Sequence, residues 1–353
     1  MGECPKVTLW SGYMTQRFFL TVSFVLCVLI SACGGGSSTT SPETPGTLVS
    51  GSRIVLTVEP PQDVSIDSIE LVNAGIKLVK EGRIQEALSN FDQAISIDPQ
   101  FAEAYSNRGN AYNDLGQPER AIEDFDEAIR LDPQSAIIYA SRGNAHTYLG
   151  QFLKAISDLD EAIRLDPQLA QAYYNRGVAY GAQSDVDKAI GDYSQTISLG
   201  PNFTPAYINR GSAYNKTGRH QQAIEDSNKA INNGLELVPA YINRGVAYQN
   251  LGDLERAVLD YGQAIEIDPN IAIGYTNRAL IYLNSELYEQ AIPDYDQAIR
   301  INPQDGNSYA NRAISYTALG RDAEADPDIA KALRFGIDEG TLMPIIERLK
   351  SLR

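Results

Sequence analysis

Cysteine is scarce in this chain: only three occur among its 353 residues, and all lie before residue 34. Beyond that point an internal disulfide or a thiolate metal site is excluded, because no thiol is present. Histidine is rarer still: the chain contains two, His146 and His220. His146 stands where related segments have a core tyrosine, and His220 lies beside Arg219 in a turn. We therefore expect neither histidine to be catalytic.

The sequence also lacks the motifs and charge patterns of most enzymes and nucleic-acid-binding proteins. It has no phosphate-binding glycine loop, nucleophile elbow or metal-ligand spacing. It contains 45 Asp and Glu against 29 Lys and Arg, a net charge of −16. Binding nucleic acid requires clustered Lys and Arg, and no basic stripe is present. We predict no enzyme activity, no cofactor, no metal and no nucleic-acid partner.

A long hydrophobic run occurs near the N-terminus, where residues 18–30 (FFLTVSFVLCVLI) follow Arg17. The run is shorter than the roughly 20 residues of a comfortable membrane span, but it fits the core of a secretory signal. It ends in Ile30-Ser31-Ala32-Cys33, which resembles the lipobox of bacterial lipoproteins. In that family the signal is cut before the cysteine, which carries the lipids. An ordinary signal peptide or a short membrane anchor is the alternative.

This resemblance implies that residues 1–32 are a signal peptide and that Cys33 is the lipid-attachment residue. Residues 33–67 would then be a flexible tether, since GGGSSTTSPETPG offers nothing to bury. Within it, residues 53–58 (RIVLTV) are β-prone and could form a lone strand or an extended arm. We expect an exported, membrane-anchored protein. It would lie at the outer membrane if the host has two membranes, because no Asp follows Cys33, and otherwise on the outer face of the plasma membrane.

The rest of the chain repeats every 34 residues, and a fixed period of this length indicates stacked supersecondary units. Recurring prolines, taken as position 32 of each unit, define eight repeats over residues 68–337. A final amphipathic stretch, Thr341 to Leu352, predicts a capping helix within residues 338–353. The repeats begin at Ser68, Ala102, Ala136, Ala170, Thr204, Val238, Ala272 and Gly306.

Each repeat reads as a helix, a short turn and a second helix. Its halves, A-Y-x-N-R-G-x-A-Y and A-I-x-D-x-x-x-A-I, both place apolar residues at helical spacing. The second helix must stop before its proline, because the residue preceding a proline is disfavoured in the α region. Small residues at positions 8 and 20 would let the two backbones approach, with bulky residues at positions 4, 11 and 24 filling the space between repeats. The pattern predicts an all-α array.

These positions, together with position 27 and the proline at 32, resemble the signature of the tetratricopeptide repeat over residues 68–337. The resemblance implies a right-handed superhelical solenoid of eight stacked helix-turn-helix repeats with a C-terminal capping helix. It also implies a protein or peptide partner and first helices that line a concave groove. Departures are local: His146 replaces Tyr, Ser227 replaces an aromatic residue, Leu235 replaces Pro, and Pro293 and Pro327 fall at position 22.

Position 7 is aliphatic in most such repeats, but here it is Arg in repeats 2 to 8, and position 23 is Asp in the same repeats. Both positions flank the expected close contact, so we predict structural ion pairs within or between repeats. An arginine row that binds acidic ligands is the alternative. The arginines are Arg108, Arg142, Arg176, Arg210, Arg244, Arg278 and Arg312, and the aspartates are Asp124, Asp158, Asp192, Asp226, Asp260, Asp294 and Asp328.

Position 6 is an asparagine column, and an amide both donates and accepts hydrogen bonds. It resembles the asparagine ladder of the O-linked N-acetylglucosamine transferases, which implies a grip on an extended peptide backbone. The alternative is bonding to neighbouring helices or water. The charged clamp of chaperone-tail-binding relatives is rejected, because no repeat has Lys at position 2 or 5. The peptide-binding candidates are Asn107, Asn175, Asn209, Asn243, Asn277, Asn311, Tyr174, Asn215 and Gln249.

Signal, tether, array and cap account for the chain, so we predict a membrane-tethered interaction scaffold of the bacterial cell envelope. A module that captures a peptide or glycan for a separate enzyme, such as a glycosyltransferase or protease, is the second hypothesis.

Overall fold

A computed structural model describes residues 65–234 and 237–353, where the backbone forms seventeen α-helices and no strand. The predicted signal, lipid-attachment residue Cys33, segment 53–58 and the tether up to residue 64 lie outside these residues, as does Leu235. The last residues predicted as tether differ from the prediction, because Ser65 is the N-cap of the first helix and Ile66 and Asp67 belong to that helix. The helices divide into two compact bodies, one ending at Pro269 and the other beginning at Asn270.

The N-terminal body contains six helix pairs, each joined by a short turn. The pairs are α1 (Ile66–Lys80) with α2 (Ile84–Ile97), α3 (Ala102–Asp114) with α4 (Pro118–Leu131), α5 (Ala136–Tyr148) with α6 (Phe152–Leu165), α7 (Ala170–Ala182) with α8 (Val186–Leu199), α9 (Thr204–Lys216) with α10 (His220–Asn232), and α11 (Leu237–Asn250) with α12 (Leu254–Ile267).

The C-terminal body contains two further pairs and a last helix. They are α13 (Ala272–Asn284) with α14 (Tyr288–Ile301), α15 (Gly306–Ala318) with α16 (Asp322–Arg334), and α17 (Glu339–Ser351). The predicted all-α array of helix-turn-helix repeats is therefore confirmed. Six first helices, α3, α5, α7, α9, α13 and α15, begin at the residue that the sequence period marks as the start of a repeat.

The second helices end where proline requires it. Asp132, directly before Pro133, leaves α4 with φ −129° and ψ 87°, outside the α region. Pro293 and Pro327 lie inside α14 and α16, beyond the first turn. Each therefore removes one helical hydrogen bond. In the turns between helices, Gly116 has φ 69°, and Ser184 takes φ 63° at the equivalent position of its repeat.

Small residues bring the two helices of each pair together. In the second repeat Ala121, Phe125 and Ala128 are all fully buried. A Cβ on Gly109 would lie 2.8 Å from Cε1 of Phe125 and 3.1 Å from the carbonyl oxygen of Ala121, so only glycine fits between these helices. Stacking of successive pairs then buries the apolar faces that no single pair could bury alone.

The last helix closes the C-terminal body. Leu342 and Ile346 of α17 are fully buried, in a cluster that includes Ala310 and Ile314 of α15. Ile345, Met343 and Leu349 pack against the same cluster, and Glu347, Arg348 and Lys350 on the other side of the helix are exposed. This is the polar-backed arrangement that a terminal repeat needs.

Candidate functional site

The arginines at position 7 bind the aspartates at position 23 of the same repeat. In every case Nε and Nη2 of the arginine donate to the two carboxylate oxygens, over 2.6–2.9 Å. This two-bond geometry is the strong form of the Arg–carboxylate pair. All seven pairs predicted from the two columns are present: 108–124, 142–158, 176–192, 210–226, 244–260, 278–294 and 312–328.

These aspartates are buried, with exposed fractions of 3–7%. Burial of a charge is costly unless it is paired and hydrogen-bonded. The arginine supplies both conditions and also lies near the ring of the position-4 tyrosine, with Cζ of Arg244 5.3 Å from the ring centroid of Tyr241. The hydrogen bonds to Asp124 hold the pKa of Arg108 above its ordinary value although burial opposes the charge.

A second acceptor joins neighbouring repeats, and the sequence reasoning did not single it out. The remaining arginine nitrogen, Nη1, donates to position 25 of the preceding repeat, 16 residues earlier, over 2.6–2.9 Å. The recurrence of a polar residue at position 25 was the available signal. These acceptors are Asp92, Asp126, Asp160, Ser194, Asn228 and Asp296.

The asparagine column is already engaged within the chain at several repeats. Nδ2 of Asn209 donates to the Tyr174 hydroxyl over 3.1 Å, and Nδ2 of Asn243 donates to the Ile208 carbonyl over 3.0 Å. Asn107 donates to the Glu103 carbonyl, and Asn175 accepts from Gln171. Asn277 and Asn311 are half-buried in the C-terminal body. Peptide binding by this column stays a prediction.

The other residues expected in the groove likewise make contacts within the chain. Tyr174 is only 3% exposed, because its ring packs 4.9 Å from that of Phe203, and peptide binding by Tyr174 stays a prediction. Asn215 donates to the Asn243 carbonyl over 2.8 Å, and Gln249 accepts from the Tyr261 hydroxyl over 2.8 Å. Spacing alone could not reveal these contacts, since each joins two helices.

A cavity of about 340 Å³ lies beside His146. Its walls include Arg142 and Asp158, and Nε2 of His146 is 3.8 Å from Oδ2 of Asp158. Burial lowers the pKa of His146, which is 7% exposed and whose Nδ1 lies 2.9 Å from Oε1 of Gln151. The ring is thus a packed, neutral replacement for the tyrosine of other repeats.

Within residues 65–234 and 237–353, no group of three or more His, Cys, Asp or Glu side chains is arranged to hold a metal ion. Over the same residues, none of the helices combines the length and the apolar character that crossing a bilayer requires.

Comparison with protein families identifies the repeat. A model described as "Tetratricopeptide repeat" matches residues 102–135, 170–203, 238–271 and 272–305. A second model of that description matches residues 204–233, and one described as "TPR repeat" matches 75–116 and 143–184. Together these matches cover more than half of the chain. None of the curated proteins searched matches it.

Solved structures with a similar fold share little sequence with the chain. The crystal structure of the APC/C hetero-tetramer Cut9-Hcn1 aligns at 17% identity with a TM-score of 0.58, covering 79% of this chain and 55% of that one. The chain thus spans about half the length of that relative. A repeat protein from Parabacteroides merdae ATCC 43184 aligns at 19% identity, with a TM-score of 0.53 and coverages of 71% and 99%. PilW, a type IV pilus biogenesis factor, aligns at 19% identity with a TM-score of 0.54, and the alignment covers 58% of this chain and 96% of that one.

Proposed function

We propose that this chain, which belongs to the tetratricopeptide repeat family, is a non-catalytic scaffold. It binds an extended peptide of a partner protein along its first helices. Proteins of this family are generally protein–protein interaction scaffolds. For this chain the binding surface is formed by the first helices. The array acts in a bacterial cell envelope, where lipid on Cys33 tethers it to a membrane.

The observation that carries the proposal is a set of accessible polar side chains at two positions of four first helices of the N-terminal body, α3, α5, α9 and α11. At position 9, Asn110, Asn144 and Ser212 are half-exposed, and at position 13, Lys216 and Asn250 are exposed. The neutral amides and the hydroxyl of this set can donate to and accept from a peptide backbone, and Lys216 can donate to its carbonyl groups. The Arg–Asp bonds between repeats hold neighbouring helices in register, so the set is presented by a preorganised surface.

The proposed tether is supported by the sequence. The apolar run that ends in Ile30-Ser31-Ala32-Cys33 is followed at once by glycine and serine. A flexible linker of that composition would let a folded array reach partners at a membrane surface.

Site-specific photo-crosslinking tests the surface. A benzophenone amino acid placed at Val178 or Ser212, both at position 9 of first helices, should crosslink to a partner in detergent-solubilised envelopes. The matched controls are Gln195 and Glu225, exposed residues of second helices. Partner adducts from the two control positions, with none from Val178 or Ser212, would refute binding along the first helices.

A further inference from the structure

The cavity beside His146 opens between the second helices of two adjacent repeats. It therefore lies on a different side of the helix pairs from positions 9 and 13 of the first helices. Two of its residues, Asp126 and Lys154, are exposed, so a side chain of a partner protein can enter it from solvent. Its walls include Ile122 and Asp126 of α4, Arg142 and His146 of α5, and Lys154 and Asp158 of α6.

A tyrosine ring occupies position 11, the place of His146, in the second and in the fourth to eighth repeats. In the second, fourth and sixth repeats a cation at position 19 lies over this ring. Cζ of Arg120 is 4.0 Å from the ring centroid of Tyr112. Nζ of Lys188 is 5.0 Å from that of Tyr180. Such contacts are favourable, because the face of an aromatic ring attracts a cation.

The third repeat keeps the cation, Lys154, but has lost both of the partners that an equivalent lysine has. The ring at position 11 is the smaller imidazole of His146. In the fourth repeat, Nζ of Lys188 also lies 2.6 Å from Oδ2 of Asp185 at position 16. In the third repeat the oxygen at position 16, Oε1 of Gln151, lies 2.9 Å from Nδ1 of His146 instead. Within the described part of the chain, Lys154 has no hydrogen bond or ion pair.

The buried imidazole presents a second group without a partner. Because the Gln151 oxygen only accepts hydrogen bonds, the neutral ring of His146 carries its proton on Nδ1, and Nε2 is an acceptor. Oδ2 of Asp158, 3.8 Å from Nε2, is also an acceptor and is bonded to Nε of Arg142. Among residues 65–234 and 237–353, no group donates to Nε2. Since Asp158 lines the cavity and Gln151 does not, Nε2 is the nitrogen on the cavity side.

The charges around the cavity favour a neutral occupant. Arg142 donates through Nε and Nη2 to Asp158 and through Nη1 to Asp126, so both carboxylates are paired with it. With Lys154, two cations face two anions. An acidic side chain would be repelled by the two aspartates, and a basic one by Lys154. A neutral aromatic ring instead offers its face to Lys154 and its edge to the apolar wall at Ile122.

The size of the cavity is sufficient for such a ring. A cavity of roughly 150 Å³ can hold benzene, and this one has about 340 Å³. We propose that the cavity between α4, α5 and α6 binds the phenol ring of a tyrosine from a partner protein, with the ring over Lys154 and the hydroxyl donating to Nε2 of His146. This site goes beyond the proposed function, because it is a second binding site with its own side-chain preference.

Small peptides test the preference on the purified full chain. The probes are three capped Gly-Xaa-Gly peptides with Tyr, Phe or Glu at the centre, titrated by saturation-transfer difference NMR. The Tyr peptide should bind roughly threefold to tenfold more tightly than the Phe peptide, because only Tyr supplies the hydroxyl donor. The Glu peptide should bind more weakly than both. Phe or Glu binding as tight as Tyr binding, or no binding of the Tyr peptide, would overturn the proposal.

Two variants assign the binding to this cavity. His146→Tyr places the chain's own ring over Lys154 and should weaken the Tyr peptide at least roughly tenfold. Lys154→Gln introduces the residue of position 19 in the fifth and seventh repeats and should weaken it roughly twofold to fivefold. Lys188→Gln makes the same change where Tyr180 already fills the place, so it is the matched control and should bind as wild type. Unchanged affinity in His146→Tyr or Lys154→Gln would overturn the proposal.

Thermal melts separate loss of the site from loss of the fold. His146→Tyr introduces the residue that six other repeats have at position 11, so it should melt at or above the temperature of wild type. If it melts lower, Lys154→Gln, which changes an exposed side chain, decides the question. If the cavity fails these tests while Val178 and Ser212 still crosslink to a partner, the proposed scaffold function stands and only the tyrosine site is wrong.

Discussion

At the scale of single residues, the side chain at position 24 decides how much space lies beside the glycine at position 8. Gly109 lies beneath Phe125, whereas Gly211 faces Ser227, and the nearest neighbours of a Cβ there would be 3.5 Å away. At position 8, therefore, some glycines have no space for a Cβ and others do, and the sequence pattern does not separate the two cases.

Matched alanine substitutions should show this difference. Gly211→Ala should raise the free energy of unfolding by about 0.5–1 kcal/mol, since Ala is the better helix former and has room. Gly109→Ala should lower it by about 1–3 kcal/mol, because the new Cβ overlaps Phe125 and the Ala121 carbonyl. Urea unfolding measures the free energy of unfolding of each variant. Equal changes of the same sign would mean that the side chain at position 24 does not decide the effect.

His146 gives the third repeat a dependence on acid. Its folded pKa lies below the unfolded value of about 6.5, so the unfolded chain binds the proton first. The stability that the neutral ring contributes is complete above that value and is lost as the pH falls through it. Asp158 faces the ring and opposes the shift, while Arg142 and Lys154 reinforce it.

The His146→Tyr variant restores the residue of the other repeats and should remove the dependence of stability on pH that His146 causes. Between pH 7 and pH 5 wild type should lose more stability than the variant, by at most about 1.4 kcal/mol per pH unit. Melting temperatures at several pH values measure the difference between the two proteins, so that carboxylates common to both cancel. Parallel pH curves would show that His146 contributes nothing.

At the scale of the helix pair, each arginine fastens a first helix to a second helix and to the preceding repeat. Arg210 of α9 binds Asp226 of α10 through two nitrogens and Ser194 of α8 through the third. Asp226 is 4% exposed, so either partner left alone would be poorly solvated.

A double-mutant cycle on Arg210→Ala and Asp226→Ala should therefore give a coupling energy of about 0.5–3 kcal/mol. Arg210→Lys keeps the charge but loses the planar fork, so it should recover only part of the loss. Denaturant midpoints of the four proteins measure the cycle. Strictly additive single effects would mean that the pair contributes no interaction of its own.

The turn between α7 and α8 holds a residue under strain. Ser184 has φ 63° where all but one of the equivalent turns have glycine, the exception being Glu286 with φ 60°. An L side chain in this region costs about 1–2 kcal/mol. Ser184→Gly should raise the free energy of unfolding by about 0.5–1 kcal/mol, since part of the gain is lost to the freer unfolded chain. Ser184→Ala keeps the Cβ and is the control; a gain of the same size there would rule out relief of strain.

At the scale of the whole molecule, the proposed tether depends on one residue. Cys33→Ser should abolish lipid labelling and leave the protein soluble or uncleaved, because the lipids would be attached through the thiol. Palmitate incorporation followed by membrane fractionation measures both effects. Labelling equal to wild type would exclude Cys33 as the attachment residue.

The sequence by itself determined the period, the helix pairs and the two columns that form the Arg–Asp pairs. A 34-residue repeat of apolar and small residues specifies which residues share a helix face, and the positions of Pro133 and its equivalents mark where second helices end. The starts of α3 and α5 follow from that periodicity, because they depend on residues close in the chain. The packing of the helices decided that Arg108 forms two bonds to Asp124 in its own repeat and one to Asp92 in the preceding repeat.

Only the tertiary structure decided which polar side chains are occupied. Asn209 and Tyr174 lie in different repeats, and whether they bond depends on how two first helices pack, which the period does not encode. The same packing engages Asn243 and leaves Oγ of Ser106 and Oδ1 of Asn113 without a hydrogen-bond partner, although all three residues belong to regular columns. Hydrogen bonding between first helices depends on a side chain long enough to reach a carbonyl group of the next helix, as Asn243 does to Ile208. The third repeat has the shorter Ser141 at this position, and the helical pattern is the same.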